Sequence, residues 1–498
     1  MSKLVPRVDS LADVYVGAAG GEAVPVELRR RFDNLISSFQ RQYNQKPDFV
    51  SRSPGRVNII GEHVDYSLYD VLPMAVTVDV FIATRVVKNN SAAPSITIAN
   101  VNSTKYPSKE YTIPSSGTVE VDKQSHSWSN YFLAGLKGSL PYLRQKLGES
   151  FKPNSMELLI DGNVPAGGGL SSSAAFVCAS ALAVMAANNY EISKQDLLDL
   201  CIVSERSVGV FSGGMDQAAS IFSERGYLLY CSFFPSFSAE NVPMPVSDPE
   251  VTFLVAQSFV TSDKAVTAPI HYNLRVVEVT LATVVLAKLH DIALNPDDSS
   301  LGFCLRNFQE EIMKMEGRRD ESMQSQVQSV IEIIKTKLDK DSYTKDDIAR
   351  ILGISVEELE KQYMSKFPIR ADSFKLRQRA LHVLQEAEQK LQHLGDLMNK
   401  TQASCKDVYE CSCAEIDDIC SIARKAGTYG SRLTGAGWGG CTVHLVPQDK
   451  VAAVTEALKE EYYFKKFPDM SEETLQEALV ISKPSQGSSL IVGLALDV

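Results

Sequence analysis

The sequence predicts an α+β protein with mixed sheets, arranged as two lobes. Strand-like and helix-like runs are interspersed along the 498 residues without a strict alternation of strand and helix. A chain of this length exceeds the size at which one hydrophobic core usually stops growing. We expect an N-terminal extension and helix over 1–44, a first lobe over 45–235, and a second lobe over 236–498 that carries a helical insertion at about 306–400.

The individual elements are predicted from the spacing of their apolar residues. Apolar residues from Leu28 to Tyr43 recur at helical spacing, which places an amphipathic helix over about 26–43. The runs at 76–87 and 155–164 are typical of buried strands. Residues 172–187 are almost wholly apolar and predict a helix that is buried on all sides.

Charge and composition favour a small-molecule partner. The net charge of −11 repels nucleic-acid phosphates and anionic membranes. No apolar run approaches the roughly 18 residues of a membrane span, and the N-terminus lacks the continuous apolar core of a secretory signal. Nine cysteines, an odd number, favour free thiols in a reducing compartment. We therefore expect a cytoplasmic protein that binds neither nucleic acid nor membrane.

A glycine- and serine-rich stretch, PAGGGLSSSAAF at 165–176, joins a predicted strand to the apolar helix. We call it the glycine–serine loop. The glycines at 167–169 let backbone N–H groups approach an anion, and the serines at 171–173 open a helix whose first N–H groups carry partial positive charge. The stretch lacks the G-x-S-x-G pattern of a serine nucleophile and the lysine of a Walker A loop. Alone, it fits either a phosphate-binding loop or a glycine turn capped by serine.

Three further stretches carry chemistry-bearing residues. The first, GRVNIIGEHVDY at 55–66, places Arg56, Glu62, His63 and Asp65 beside apolar strands, where charges are costly to bury unless they bind something. Carboxylates and an imidazole in one loop suit the hydroxyls of a sugar. The others are SERSVGVFSGGMDQ, with Glu205 and Asp216, and the glycine-rich GSRLTGAGWGGC. Each alone fits a structural role, whereas the four stretches together indicate an active site.

These stretches resemble the motifs of the galactokinase family, within the GHMP superfamily of small-molecule kinases. The similarity covers most of 45–498 and is greatest to the long eukaryotic branch of galactokinases and N-acetylgalactosamine kinases. It implies a two-lobed GHMP kinase fold with ATP on the glycine–serine loop, the sugar beside it between the lobes, and Mg²⁺ as cofactor. The implied reaction transfers the γ-phosphoryl group of ATP to the C1 hydroxyl of α-D-galactose, giving galactose 1-phosphate and ADP. The family also suggests a monomer.

The resemblance further implies roles for individual residues. Those expected at the sugar are Arg56, Glu62, His63, Asp65, Gly213, Gly214, Asp216 and Tyr272. Those expected at ATP are Gly167, Gly168, Gly169, Leu170, Ser171, Ser172, Ser173, Trp128 and Lys264. Ser173 and Glu205 are expected to hold Mg²⁺. Arg56 and Asp216 are the implied catalytic residues beside the C1 hydroxyl, with Asp216 either a general base or an orienting group.

Two alternatives and one departure remain open at this point. N-acetylgalactosamine is the first alternative substrate, although Tyr272 favours galactose because N-acetylgalactosamine kinases place Phe there. The second alternative is a non-catalytic or bifunctional galactose/ATP sensor, but such relatives lack the Ser-Ala pair that Ser173 and Ala174 form here. The departure is Leu68, which stands where many relatives have a glycine beside Asp65.

Overall fold

The fold was analysed in a computed structural model. It describes residues 3–16, 23–88, 93–114, 116–122, 127–148, 150–206, 213–244, 247–260, 267–366, 369–387 and 394–493. Within this part of the chain, no helix combines the length and the apolar character that crossing a bilayer requires.

Among the described residues, the strands form two main sheets and two short ribbons. In chain order they are β1 Arg7–Val8, β2 Phe49–Ile60, β3 Leu72–Val87, β4 Ser95–Asn100, β5 Lys109–Thr112, β6 Ser155–Gly162, β7 Tyr227–Ser232, β8 Ser238–Pro243, β9 Val251–Gln257, β10 Tyr343–Thr344, β11 Ser373–Phe374, β12 Gly430–Thr434, β13 Cys441–Pro447, β14 Leu479–Ser482 and β15 Ser489–Ile491. The strands predicted at 76–87 and 155–164 correspond to β3 and β6.

The larger sheet has seven strands in the order β1-β15-β2-β3-β6-β4-β5. The pairs β1/β15 and β4/β6 are parallel and the other pairs are antiparallel, so the sheet is mixed, as predicted. The smaller sheet is antiparallel with the order β12-β13-β9-β14. Strands β1 and β15 bring segments from outside 45–235 into the larger sheet, and the predicted lobe boundaries stay predictions.

Helices surround these sheets. In chain order, the described α-helices are Leu11–Tyr15, Val26–Tyr43, Asn130–Leu147, Ser172–Ala187, Lys194–Arg206, Met215–Phe222, Tyr272–Leu289, Leu305–Met315, Met323–Lys337, Lys345–Leu352, Val356–Tyr363, Leu376–Ala387, Leu394–Asp407, Ala414–Lys425, Val451–Leu458, Phe464–Lys466 and Glu472–Ala478. The helices predicted over 26–43 and 172–187 are confirmed at those bounds. In the described residues of the predicted insertion at 306–400, helices joined by loops predominate, and the strands found there are the two-residue β10 and β11.

The larger sheet is covered by a helix on each face. Strand residues alternate between faces, and Phe81 and Ala83 of β3 share a hydrophobic cluster with the helix Val26–Tyr43. Ile82, between them, belongs instead to the main core, together with the helix Ser172–Ala187. That helix is buried along almost its whole length, as its apolar sequence requires. The glycine–serine loop is therefore anchored by a rigid strand before it and a buried helix after it.

Candidate active site

Strand β2 carries Arg56 to the glycine–serine loop. The pairing of β2 with β3 is irregular between Pro54 and Arg56, which is a bulge of the kind that redirects a side chain. The backbone N–H of Arg56 donates to the carbonyl oxygen of Leu170 at 3.1 Å. Leu170 itself is fully buried. The strand and the loop are thus joined through their main chains, and the Arg56 side chain leaves the strand beside the loop.

A buried cluster forms around Arg56 and Asp216. Arg56 donates to Asp216 Oδ1 from Nε at 2.8 Å and from Nη2 at 2.6 Å, and its Nη1 donates to the Gly169 carbonyl at 2.6 Å. The hydroxyl of Ser171 donates to Asp216 Oδ2 at 2.6 Å. Arg56 and Asp216 are 3% and 7% exposed. The cluster ties three of the four predicted motifs together.

Two helices begin at this cluster. Ser171 precedes the helix Ser172–Ala187 in the left-handed conformation, with φ 58° and ψ 45°, and its hydroxyl points to Asp216. A non-glycine residue in that conformation is strained, and such strain concentrates at functional sites. Asp216 lies in the first turn of the helix Met215–Phe222, after Gly214. The N-terminal partial charges of both helices therefore favour negative charge near the cluster.

The glycine-rich loop between β12 and β13, residues 435–440, packs directly on the glycine–serine loop. A Cβ atom on Gly169, whose φ is +74°, would lie 2.7 Å from the Thr434 carbonyl oxygen. A Cβ on Gly440 would lie 3.1 Å from the carbonyl carbon of Gly168. The two loops touch main chain to main chain, which only glycine permits.

Glu62 is ion-paired with an arginine that is not among the predicted site residues. Its carboxylate forms an ion pair with Arg432 of β12, and both side chains are buried. Burial raises the pKa of Glu62 to about 7, although the charge of Arg432 lowers it. His63 follows with φ +60°, and its Nε2 lies 3.0 Å from the Ala436 carbonyl oxygen. This loop therefore contacts the glycine-rich loop of the second sheet.

Asp65 lies next to Asp216, with Gly213 packed against it. A Cβ atom on Gly213 would lie 2.5 Å from Asp65 Oδ2, so a side chain at that position would displace the carboxylate. Burial raises the pKa of Asp65, and the charge of Asp216 raises it further. Burial also raises the pKa of Tyr272, again with contributions from Asp65 and Asp216. The Tyr272 ring lies 5.5 Å from the ring of His63. These predicted sugar residues are therefore neighbours.

A cleft of about 310 Å³ opens beside the start of the buried helix. Ser172 and Ser173 line it together with Trp128, whose ring stacks on Phe176 at 6.3 Å and 13°. The cleft is also lined by Val80, Asn100, Tyr106, Ser127, Asn130, Tyr131, Ile160, Gly162, Val164 and Ala166. Aromatic rings line it around Trp128, and it carries hydroxyls at the helix end.

Glu205 is buried, and the side-chain amide of Gln217, which follows Asp216, donates to its carboxylate. Gln217 thus connects Glu205 to the helix that carries Asp216. Lys264, predicted near the nucleotide, lies outside the described residues.

Leu68 adopts the left-handed backbone conformation that glycine adopts most easily. Leu68 follows the short helical turn Asp65–Ser67 with φ 62° and ψ 24°, and its side chain is 9% exposed. The left-handed conformation costs about 1–2 kcal/mol for a residue with a Cβ atom. Burying a leucine side chain contributes about 1.5–3 kcal/mol in return. The turn beside Asp65 is therefore retained without glycine.

Four residues around Glu62 were not predicted from the sequence. They are Arg432, His382, Glu386 and Tyr409, all buried near the 61–66 loop. Arg432 stands in the predicted glycine-rich motif GSRLTGAGWGGC, but the sequence GSRLT of its strand does not mark the arginine as buried. His382 and Glu386 lie on a helix and Tyr409 lies just beyond the end of another, in segments whose polar residues look like an ordinary solvated face.

Comparison with known proteins identifies the family. The profile described as the galactokinase galactose-binding signature matches residues 37–86. Profiles of the GHMP kinase N-terminal and C-terminal domains match residues 130–224 and 380–463. The galactokinase of Saccharomyces cerevisiae is 40% identical over 95% of this chain and 97% of its own length. The galactokinase of Schizosaccharomyces pombe is 38% identical over 94% and 96%, respectively.

The fold agrees with these matches. The crystal structure of Lactococcus lactis galactokinase complexed with galactose superposes with a TM-score of 0.62 at 23% identity, covering 92% of this chain and 98% of that one. The expectation of a GHMP kinase fold is thereby confirmed. Together with the near-complete coverage of two galactokinases at 38–40% identity, it shows that the chain belongs to the galactokinase family of the GHMP kinases.

Proposed function

We propose that the protein is a galactokinase, which transfers the γ-phosphoryl group of ATP to the C1 hydroxyl of α-D-galactose and releases galactose 1-phosphate and ADP. The observation that carries the proposal is the buried cluster in which Arg56 donates both to Asp216 and to the Gly169 carbonyl. This cluster joins the predicted sugar residues to the predicted ATP loop, so both substrates would meet at one point. Family membership supports the same reaction.

Neutralising charge is the main task of such a site. Phosphoryl transfer passes through a loose transition state in which negative charge is spread over the phosphoryl oxygens. In our proposal, the backbone N–H groups of glycines 167–169 and of the start of the helix Ser172–Ala187 bind the phosphates. Arg56 adds a positive charge that its bonds to Gly169 and Asp216 hold in place before substrate binds. A preorganised charge of this kind stabilises the transition state without reorganisation.

Asp216 is proposed to receive the C1 hydroxyl. Both of its carboxylate oxygens already accept hydrogen bonds, one from Arg56 and the other from Ser171. Charge-assisted hydrogen bonds stabilise the ionised carboxylate, which weakens it as a base. The geometry therefore favours orientation of the hydroxyl and electrostatic support over strong general-base catalysis.

The remaining sugar contacts are assigned to the 61–66 loop and its neighbours. We propose that Glu62, His63 and Asp65 accept or donate hydrogen bonds to the sugar hydroxyls, and that Gly213 and Gly214 leave room for the sugar beside Asp65. Tyr272 completes this pocket on the side of His63, at 5.5 Å between rings. The adenine is assigned to the cleft at Trp128, because flat aromatic walls suit a base.

Ser173 and Glu205 are proposed to hold the Mg²⁺ that accompanies ATP. Hydroxyl and carboxylate oxygens are the ligands that Mg²⁺ prefers, and Ser173 lines the cleft. Among the described residues, no group of three or more His, Cys, Asp or Glu side chains is placed to hold a metal ion. The phosphates of ATP would therefore supply further ligands. When bound, the ion neutralises phosphate charge. The monomeric state and the cytoplasmic location stay predictions.

Substrate preference is the first test. ADP release is measured with galactose, N-acetylgalactosamine, glucose and arabinose, and we expect kcat/KM to be highest for galactose by at least about tenfold. The reason is crowding, because the partly buried Tyr272 ring lies 5.5 Å from the ring of His63, where an acetamide would need more room. Preference for N-acetylgalactosamine would overturn the choice of sugar. Binding of galactose and ATP without ADP release would instead support the sensor alternative.

A pair of tyrosine variants sharpens this test. Tyr272→Phe is expected to reduce the preference for galactose over N-acetylgalactosamine, because it removes the hydroxyl from the pocket wall. Tyr343→Phe serves as the control, since Tyr343 is a buried tyrosine that lies at β10 in the helical insertion. An equal change in both variants would speak against a role for Tyr272 in sugar selection.

The nucleotide cleft gives a second prediction. Trp128→Ala is expected to raise KM for ATP by about tenfold or more, because stacking of a base on an aromatic ring contributes about 1–3 kcal/mol. KM for galactose should change little. The comparison variant is Trp438→Ala, since Trp438 lies 6.0 Å from the His63 ring and should affect galactose rather than ATP. Steady-state kinetics with each substrate varied in turn measures both, and an unchanged KM for ATP in Trp128→Ala would remove Trp128 from the nucleotide site.

A further inference from the structure

One helix of the insertion, Leu376–Ala387, directs a polar face toward the 61–66 loop. Arg379, His382 and Glu386 are spaced three and four residues apart, so they lie along one side of the helix. All three are buried, at 2%, 0% and 3% exposure. Polar side chains are buried at this density only when each has a partner, and their partners lie in and around the candidate sugar site.

Glu386 and His382 are hydrogen-bonded to the backbone N–H and carbonyl groups of Glu62. The backbone N–H of Glu62 donates to Glu386 Oε2 at 3.3 Å, and the carbonyl oxygen of Glu62 lies 3.0 Å from His382 Nε2. The backbone on either side is in the left-handed region, with φ +94° at Gly61 and φ +60° at His63. A residue such as His63 holds that conformation only when its surroundings fix it.

The protonation of His382 follows from its surroundings. Burial lowers its pKa to about 3, so the ring is neutral and only one nitrogen carries a proton. Its Nδ1 lies 2.8 Å from the hydroxyl of Ser404, which can donate to it. In that arrangement Nε2 bears the proton and donates to the Glu62 carbonyl. His382 is therefore a neutral donor that carries no charge into the site.

The same helix also supports the aromatic side of the site. The His382 ring stacks on Tyr409 at 4.2 Å and 28°, and the Tyr409 hydroxyl is hydrogen-bonded to that of Tyr66. Arg379 donates to the Val408 carbonyl at 2.7 Å and to Glu278 at 3.0 Å. The segment around Tyr409 is thus tied to this helix on one side and to the 61–66 loop on the other.

We infer that the helix Leu376–Ala387 is a positioning element for the sugar site, in which His382 and Glu386 fix the peptide groups of Glu62 so that His63 and Glu62 face the sugar. The inference rests on the proposed function, because it takes Glu62 and His63 as sugar-binding residues. It gives the helical insertion a role in substrate binding. His382 and Glu386 touch no substrate and act through the loop that they hold.

The test compares two variants of His382. His382→Phe keeps an aromatic ring against Tyr409 but leaves the Glu62 carbonyl without its donor, so KM for galactose should rise about 5- to 100-fold. We expect kcat to stay within about threefold and KM for ATP within about twofold, because ground-state sugar binding is what is lost. His382→Gln places an amide N–H near the position of Nε2, and it should restore most of the galactose KM.

The matched control is His444→Phe. His444 is also fully buried, burial lowers its pKa to about 3, and its ring nitrogens lie 2.9 and 2.8 Å from the hydroxyls of Ser431 and Thr442. It shares the burial and the bonding of His382 but has no bond to the 61–66 loop. Thermal unfolding should show similar destabilisation for both Phe variants, with the galactose KM changed only by His382→Phe.

The outcomes separate the inference from the proposed function. Absence of galactose phosphorylation in the unmodified protein would defeat the function, whatever the variants do. An active protein in which both Phe variants change the galactose KM equally, or in which His382→Gln fails to restore it, would overturn the inference alone. If His382→Phe does not fold, Glu386→Leu and Glu386→Gln decide instead, since only the glutamine retains an acceptor for the Glu62 N–H.

Discussion

Asp216→Asn is expected to lower kcat by about 10²–10⁴-fold, with much smaller changes in either KM. The substitution keeps the size of the side chain and one oxygen for Arg56, but it removes the negative charge that faces the C1 hydroxyl in the proposed complex. It also leaves Arg56 buried opposite a neutral group. Rapid-quench or coupled measurement of ADP formation at saturating galactose and ATP gives kcat directly.

A second buried Arg–Asp pair provides the control for Asp216. Asp79 of β3 is fully buried and accepts from Arg52 at 2.7 Å and from Arg31 at 2.6 Å. Its side chain lies with Tyr15 of the N-terminal helix, away from the cleft. Asp79→Asn should therefore lower the unfolding temperature and leave kcat nearly unchanged. If Asp216→Asn retains more than about a tenth of the kcat, Asp216 has no catalytic role of the kind proposed here.

The parts of the fold that follow local rules were predictable from the sequence. The apolar spacing at 26–43 and the continuous apolar run at 172–187 define the two helices that cover the larger sheet, and both appear at those bounds. The partner of β15 was not predictable in this way. This strand pairs with β2, more than 430 residues earlier, and no local pattern records which distant strand completes a sheet.

The candidate site likewise contains residues that the sequence predicted and residues that it did not. The motifs located Arg56, Asp216 and Ser171, and family resemblance implied that they would meet. The partners of Glu62 depend on long-range packing, since His382 in the insertion and Arg432 of β12 lie 320 and 370 residues further along the chain. Neither residue is marked by a local pattern, because His382 lies on a helix of mixed polar sequence and the strand of Arg432 reads GSRLT.

Arg432 interacts with two buried carboxylates, so we expect its replacement to have the second large effect, on stability. Its guanidinium pairs with Glu62, and its charge also acts on Glu386, so one buried cation serves two buried carboxylates. Burial raises the pKa of both, to about 7 for Glu62, although Arg432 lowers each. Asp79 has the reverse arrangement. Burial raises its pKa, but two arginines outweigh this and leave the pKa of Asp79 below its ordinary value.

Arg432→Met is expected to destabilise the protein by about 3–5 kcal/mol at pH 8, because it removes the cation from two buried carboxylates. The loss should shrink as the pH falls. A carboxyl group whose pKa is raised in the folded protein binds more protons there than in the unfolded chain, so it favours folding at low pH and disfavours it as the pH rises from about 4.5 toward the folded pKa. Without Arg432, the pKa values of Glu62 and Glu386 in the folded protein rise further. The pH range over which stability falls therefore extends to higher pH.

Urea unfolding at pH 5.5, 6.5, 7.5 and 8.0 measures how the free energy of unfolding changes with pH. Arg52→Met is the matched control. Arg52 is buried to the same extent as Arg432, and the same substitution removes a cation from Asp79. Asp79 keeps Arg31 and stays ionised throughout this range, so the destabilisation by Arg52→Met should be nearly independent of pH. The destabilisation by Arg432→Met should instead grow by up to about 1.4 kcal/mol per pH unit for each carboxylate that has lost its proton in the unmodified folded protein and keeps it in the folded variant. A loss that is equally flat in both variants would mean that Arg432 does not change the protonation of Glu62 or Glu386 between pH 5.5 and 8.0, and that sharing one arginine does not make this loop sensitive to pH.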